Sequence, residues 1–575
     1  MPRTNDVVEA LLGEYADLIA ISGGDAFRSR TYEKAARSIG GYHADVATLD
    51  LKGLQEIPNV GKSTAEKILE YLATGQVGVV EDLRARIPAG VRELISIPTL
   101  GPKKAMVLYQ DLRIASVEEL SKAIQDGRLE GLKGFGPKTL ENIQHGIELM
   151  QQSGDRVGIG VAMDLAEELV AELSALPGVQ RCTFAGSLRR MAETIGDIDI
   201  LVAAEDSGPI MEAFRTLPLV QEILGSGETK TSIRTTRGLQ VDLRVISPNV
   251  WGAALQYFTG SKAHNIRIRE MAVRKKLKLS EYGLFEAESG DLIVAETEEQ
   301  VYEHLGLPWI PPVLREDRGE VDAALKGTLP ALLAEGDLRG DLHTHTDLTD
   351  GLATLEQMVE AAAARGYEYY AVTDHAPNLY MQRMTDQAML AQRDQLRALQ
   401  SRYPQMTLLH GSELNIDPDG GVDWGPEFLE GFDGPLVASV HSHFNQSRDE
   451  MTRRIVTACQ NPFVNIIGHP TARLIGRRPP IDYDLDAVFE AAARTGTALE
   501  INSFPDRLDL RDEHILWARR HGVRFAVDTD SHSTLHLALM RYGVATAGRG
   551  WLTREDVINA WPLDQLEEFL RKGRS

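Results

Sequence analysis

Cysteine is nearly absent. Only Cys182 and Cys459 occur in 575 residues, which excludes a disulfide framework or a thiolate metal cluster and fits a reducing cytoplasm. No uncharged apolar run approaches the roughly 18 residues of a membrane span, and Arg3, Asp6, Glu9 and Glu14 interrupt the start of the chain, so neither secretion nor a membrane partner is expected. A surplus of positive charge is also missing: Lys and Arg number 61 against 84 Asp and Glu, a net charge of −23. Any contact with nucleic acid must therefore come from local patches rather than from a basic surface overall. The remaining composition is that of ordinary globular protein, and at roughly 150 residues per domain the length predicts three or four domains.

The first 150 residues read as helices broken by short turns, and one pattern recurs: Ile57-Pro58-Asn59-Val60-Gly61-Lys62, Ile97-Pro98-Thr99-Leu100-Gly101-Pro102-Lys103 and Leu132-Lys133-Gly134-Phe135-Gly136-Pro137-Lys138. A tight apolar hairpin that opens a helix leaves backbone N–H groups free at a positive dipole end, with a lysine beside them, and so suits a phosphate. One such corner could equally be mere packing; three favour phosphate. Contacts of this kind hold nucleic acid without reading its sequence. The repeats resemble helix-hairpin-helix motifs, with Asn59 and Thr99 where the first glycine usually stands. Asn tolerates the left-handed conformation and Thr does not, so the second hairpin departs furthest from the pattern.

From about Gly158 the texture changes to helices alternating with apolar strands, including 198–202 and 239–245. Residues two apart on a strand share a face, so Asp197 and Asp199 present paired carboxylates while Ile198 and Ile200 point to the core. Their repulsion is relieved by a divalent cation, and Asp242, inside the second strand, can complete a cradle suited to Mg²⁺ and substrate phosphates. A bare Asp-x-Asp is more often a solvent-facing pair. Here Gly186-Ser187 offers amides and a hydroxyl to a triphosphate, and Arg190 offers a charge-assisted fork, which together turn the reading to nucleotidyl transfer.

Residues 1 to about 315 resemble a family X DNA polymerase of the polymerase beta type, on Gly186-Ser187-Leu188-Arg189-Arg190, Gly196-Asp197-Ile198-Asp199, Val241-Asp242-Leu243-Arg244 and Tyr257-Phe258-Thr259-Gly260-Ser261. The resemblance implies that Asp197, Asp199 and Asp242 hold Mg²⁺ or Mn²⁺ and that Gly186, Ser187 and Arg190 bind the nucleotide. It also implies that Tyr257, Phe258 and Gly260 line the sugar pocket, that Asn265 faces the base, and that Arg269 meets the template. Lys262 stands where polymerase beta has an acid, and is expected to add phosphate or base contact. Seven basic residues fall between Lys262 and Lys278, a local positive patch beside Tyr257 and Phe258. The resemblance further places Lys67 on a Schiff-base lysine, with Arg28, Tyr32 and Lys34 around a 5′-phosphate, although Ser63 replaces a lysine of that lyase site. The hairpin residues Gly61, Lys62, Gly101, Lys103, Gly134, Gly136 and Lys138 complete the expected DNA contacts.

After Pro308-Trp309-Ile310-Pro311-Pro312 comes the charged run 315–320, a connector expected to be rigid and then solvated. Beyond Asp337, short strands at 368–372, 407–410, 436–440, 464–467, 498–501 and 524–527 alternate with Ala-rich helices, the rhythm of a parallel β/α barrel. Seven of the 15 histidines fall at strand ends here: His343, His345, His375, His441, His443, His469 and His532. Imidazoles at strand spacing, with Asp350, Glu413 and Asp530, suit Zn²⁺, Mn²⁺ or Fe²⁺ at the C-terminal face of a barrel. One such histidine is more often structural; several strands ending this way are not. The segment resembles a PHP (polymerase and histidinol phosphatase) domain, which implies the ligands His343, His345, Asp350, His375, Glu413, His441, His469, Asp530 and His532 and up to three ions of Mn²⁺ or Zn²⁺. Arg473, Arg477 and Arg478, close behind His469, are expected to hold a phosphate backbone.

The expected architecture is a multidomain chain. An all-α helix-hairpin-helix region comes first, a helical lyase-type domain at 1–80 and a fingers-type domain at 81–150. An α+β polymerase beta-like palm follows at 151–245, then a thumb-type domain at 246–315, a linker at 316–336, and a distorted, TIM-like β/α barrel at 337–575. The expected activity is filling of short gaps in base-excision-type DNA repair by a monomer that uses gapped or primed DNA and dNTPs. A 3′–5′ exonuclease in the barrel and cutting at base-less sites are expected beside it. Two other readings stay open: a phosphatase of small monoesters with a regulatory N-terminal region, and a non-catalytic scaffold for DNA ends.

Overall fold

The computed structural model describes residues 4–572 apart from 24, 41, 43, 88, 96, 98–99, 130, 133, 137–138, 142, 145, 148–155 and 380–383. The N-terminal region is helical, opening with Thr4–Ile21 and Ala26–Gly40 packed against each other. One apolar cluster runs from Val8 to Ile147, so the regions expected at 1–80 and 81–150 share a core.

The central sheet holds β1 (Arg181–Phe184), β2 (Asp197–Ala203), β3 (Val220–Ser226), β4 (Lys230–Thr235) and β5 (Gln240–Ile246) in the order β1-β2-β5-β4-β3. Only β2 and β5 run parallel; the other pairs are antiparallel. Ile198, Ile200, Val241 and Leu243 enter the core with the helix Ile159–Ser174, while the alternate positions are left for chemistry. A smaller sheet of β6 (Leu277–Ser280), β7 (Gly283–Glu286) and β8 (Leu292–Val294) follows, beside the helices Trp251–Thr259 and Lys262–Arg274.

The segment expected to be a solvated linker is packed instead. Val321 and Ala324, on the helix Glu320–Lys326, join the core of Ile268, Leu284 and Tyr302, and Glu320 is fully buried against His264 Nδ1 at 2.6 Å. The charges that suggested solvation find partners within the fold: charge content alone does not separate an ion-pair network from a solvated run.

The C-terminal region contains eight parallel strands in two arcs: β9 (Gly340–Asp341), β10 (Tyr369–Val372) and β11 (Thr407–His410), then β12 (Ser412–Asn415), β13 (Leu436–Ser439), β14 (Ile466–Ile467), β15 (Ala498–Asn502) and β16 (Phe525–Asp528). Isolated parallel bridges, Thr344 to Ser531 and His375 to Glu413, join the arcs at both seams. β9 and β12 have no counterpart among the expected strands; β12 is separated from β11 by Gly411 alone and reads in sequence as its continuation. This barrel is fused to the central sheet: Leu508 and Tyr542 lie in the core built by Ile198 and Phe214. Each such burial contributes roughly 1.5–3 kcal/mol. No described helix is long and apolar enough to cross a membrane.

Candidate active sites

The parallel register of β2 and β5 sets Asp199 directly opposite Asp242, with Asp197 two residues earlier on the same face as Asp199. Crowding shows in the acidity of Asp199: burial, then the charges of Asp197 and Asp242, push its carboxyl up to about 7. Asp242 is held the other way. Burial would raise it, but Lys230 Nζ at 2.7 Å and Gln240 Nε2 at 2.9 Å keep it ionised. Two carboxylates opposed across the register with a third on the same face, one of them driven toward protonation by burial and by the charges of the other two, suit a hard divalent cation.

Gly186 adopts φ +60°, and a Cβ there would collide with Asp199 Oδ2, so the turn requires glycine. Half-buried Ser187 follows in the short helix Gly186–Arg189. Arg190 Nη1 donates to the Thr259 carbonyl at 2.6 Å and faces Gly260. Tyr257 and Phe258 pack edge to face with ring centroids 5.2 Å apart, Arg244 stacking on Phe258 and Arg269 lying over Tyr257. Exposed Lys262 opens the next helix. Asn265 is less available than expected: its amide is engaged by the Tyr257 carbonyl and by Gln256, so base contact requires an exchange of partners. The basic patch is also partly neutralised, Arg267 by Asp322 and Lys276 by Glu288.

One backbone hydrogen bond recurs in all three hairpins. Val60, Leu100 and Phe135 each donate their N–H to the residue three before, at 3.1, 3.0 and 3.0 Å. Asn59 is left-handed at φ 64°, as its side chain permits, and Gly134 at φ 91°. Gly61 and Gly101 cap their helices without a side-chain acceptor, which leaves first-turn N–H groups available beside Lys62 and Lys103. Gly136 begins the third helix; Thr99 and Lys138 lie outside the described residues. Lys67 Nζ bonds Ser63 Oγ at 2.9 Å and stands over the rings of Tyr15 and Tyr32, with Arg28 bonded to the Tyr15 hydroxyl. Lys34 is exposed two positions beyond Tyr32, about 200° around the helix, and is not part of this group.

In the barrel the strand ends bring all nine expected residues together. His343, His345 and Asp530 form one group of potential ligands, His345, Asp350, His375 and His532 a second, and His375, Glu413 and His441 a third. His469 joins through Glu413 Oε1 at 3.0 Å. Burial would raise Glu413, but the imidazoles of His441, His375 and His343 outweigh it and hold the carboxyl well below its usual range. Buried His345 Nδ1 and Asp350 Oδ1 have no hydrogen-bond partner, an arrangement a cation satisfies. His443 is exposed and bonds Ser442, away from these groups.

Several residues behind this cluster escaped the sequence reading. Glu500 accepts from His343 Nδ1 at 2.6 Å, and Asn415 Oδ1 lies 2.8 Å from His441 Nδ1, so each turns Nε2 of its imidazole inward. A charged residue inside the apolar strand β15 was the available signal for Glu500. The expected phosphate arginines are partly corrected. Arg473 is buried and donates to Glu193 and the Leu508 carbonyl, and exposed Arg477 faces Asp506. Arg507 faces the cluster instead: its buried Nη1 has no hydrogen-bond partner, its Nε lies 3.8 Å from Asp530 Oδ2, and its charge, after burial, helps depress Arg478 to about 10.

Fold and sites together define a metal-dependent enzyme with two separate centres for phosphoryl chemistry, one on the mixed sheet and one in the barrel. Comparison with known families assigns residues 3–77 to a helix-hairpin-helix domain, 91–148 to a SAM-like helix-hairpin-helix tandem, 254–316 to the DNA polymerase beta thumb and 341–504 to the PHP domain. The DNA polymerase/3′-5′ exonuclease PolX of Bacillus subtilis is 34% identical over 98% of both chains. DNA polymerase lambda of Rattus norvegicus is 26% identical over 51% of this chain and 53% of its own. A probable phosphatase of Thermoanaerobacter is 28% identical over 41% of this chain, all but 5% of its own length. The chain belongs to the family X DNA polymerases that carry a C-terminal PHP domain.

Proposed function

We propose that the protein fills short gaps in DNA during repair with its central sheet and removes 3′ nucleotides with its barrel. The observation that carries this reading is the register of β2 and β5, which aligns Asp199 with Asp242 beside the Gly186-Ser187 turn. Mg²⁺ or Mn²⁺ held by Asp197, Asp199 and Asp242 would supply charge neutralisation for an in-line displacement on the incoming nucleotide. Asp242, kept ionised by Lys230 and Gln240, would take the proton of the primer 3′-hydroxyl. Arg190 and the Gly186-Ser187 turn hold the triphosphate, Tyr257 and Phe258 exclude water around the sugar, and the hairpins grip the DNA backbone. Up to three ions of Mn²⁺ or Zn²⁺ among the nine barrel residues would supply Lewis acidity for phosphodiester hydrolysis, with Arg507 and Arg478 holding the backbone.

A labelled gapped duplex tests both halves at once. Asp197→Ala should abolish extension and spare degradation, and His343→Ala the reverse; loss of both activities in either variant contradicts two independent centres. The likeness to a probable phosphatase makes small phosphate monoesters the necessary comparison substrate, and a barrel that hydrolyses these but not DNA ends overturns the exonuclease reading. A lyase reading is favoured by Lys67 lying against Ser63, Tyr15 and Tyr32. Its amine can attack the aldehyde of a base-less sugar, and borohydride trapping should then fail in Lys67→Ala.

A further inference from the structure

We infer that Arg549, on the barrel, and Glu316, in the packed segment between thumb and barrel, are positioning residues for Arg190 of the polymerase centre. The inference rests on the reading of Arg190 as a triphosphate ligand.

Arg190 Nε donates to Glu316 Oε1 at 3.0 Å, and Nη1 is held by the Thr259 carbonyl. Nη2 has no hydrogen-bond partner among the described residues. Two nitrogens of the guanidinium are therefore fixed and the third is left to meet an anion. Glu316 is in turn fixed from the barrel: its Oε1 also accepts from Arg549 Nη1 at 2.9 Å. The same Nη1 donates to the main-chain carbonyl of Arg190 at 2.8 Å. Arg549 thus grips both the backbone of Arg190 and the acid that orients its side chain.

Arg549 itself has little freedom. Its Nε and Nη2 both meet Asp512 Oδ2 at 2.9 Å, and Asp512 also pairs with Arg318 at 2.9 Å. Every nitrogen of its planar fork is occupied, and its side chain is only 9% exposed. A lysine presents a single point of charge and cannot reproduce this geometry.

Charge gives the arrangement its sign. Glu316 lies between two arginines, so its negative charge is balanced and does not repel a triphosphate approaching Arg190. Without Arg549, Arg190 loses its orientation and an unbalanced carboxylate remains beside the triphosphate position. Removing Glu316 as well relieves that repulsion while leaving Arg190 unsupported. The double variant should therefore bind nucleotide better than Arg549→Met alone, an order that simple structural damage does not produce.

The experiment is dNTP titration of gap filling by the full-length protein, with exonuclease rate and circular dichroism followed in parallel. Arg549→Met should raise KM for the nucleotide about 10-fold with kcat changed less than about 3-fold, and Glu316→Gln about 3-fold. Arg549→Met/Glu316→Gln should fall between the two, and exonuclease rate should be unchanged in all three. If Arg190→Ala leaves KM unaltered, the reading of Arg190 fails and the inference with it. If Arg190→Ala raises KM but Arg549→Met and Glu316→Gln do not, the inference alone fails. A double variant worse than Arg549→Met, or parallel loss of exonuclease in Glu316→Gln, assigns these residues to general stability and overturns the proposal.

Discussion

Arg473, on the barrel, donates from Nη2 to Glu193 of the palm at 2.7 Å and from Nε to the carbonyl of Arg507 at 2.8 Å. The polymerase half therefore anchors the loop that carries Arg507, which lies beside Asp530. Glu193 is 36% exposed, so its share of the pair is worth ~0–1 kcal/mol, whereas the carbonyl bonds of the buried guanidinium are worth ~1.5–3 kcal/mol each. Thermal unfolding should show Arg473→Met costing about 3–5 kcal/mol and Glu193→Gln about 1 kcal/mol or less. Arg473→Met should also slow degradation more than extension, and equal loss of both would contradict an anchoring role for Arg473.

Asp199, with a carboxyl at about 7, gives cation binding a proton linkage. Below that pH a proton competes with the ion, so Mg²⁺ affinity should fall as pH drops from about 8 to about 6, with about half a proton released per binding event near pH 7 and close to one near pH 6. Calorimetry in buffers of different ionisation enthalpy reads this directly. The stability of the cation-free protein should move the opposite way. Between the unfolded value near 3.8 and about 7 the folded chain holds the extra proton, so stability falls as pH rises through that window. Asp199→Asn should remove both slopes.

Glu298 ties the thumb to the palm. Burial would raise its carboxyl, but Arg189 at 2.7 Å and Arg315 at 2.6 Å outweigh that and bring it to about 2. Because the folded value lies below the unfolded 4.5, this stabilisation is present above pH 4.5 and is lost as pH falls toward 2. Glu298→Gln should cost about 3–5 kcal/mol at neutral pH by leaving Arg315 buried and unpaired, and the gap from wild type should narrow in acid. Denaturant melts at pH 7 and pH 3 provide the comparison.

Glu500 orients the imidazole of His343 without belonging to the nine expected ligands. Glu500→Gln should weaken Mn²⁺ activation of degradation about 10–100-fold while leaving primer extension at its wild-type rate. A metal titration with unchanged midpoint would show that Glu500 serves the fold and not the ion.

Much of this protein is legible from local chemistry. Strand spacing alone put Asp197 and Asp199 on one face, and histidines closing short apolar strands marked the barrel's open end, because two-residue periodicity and strand ends are properties of neighbouring residues. The left-handed Asn59 is local in the same sense. The segment 316–336 is packed because its acids and arginines pair with partners far outside the local window, as Arg318 does with Asp512 and Glu320 with His264. For the same reason Arg507 and the link from Arg549 to Arg190 carry no local mark: a guanidinium acquires its role from what it faces. Sequence by itself determined which side chains could do chemistry and the strand rhythm that carries them; only the tertiary structure decided which distant charges meet, because burial brings opposite charges together without regard to their separation along the chain.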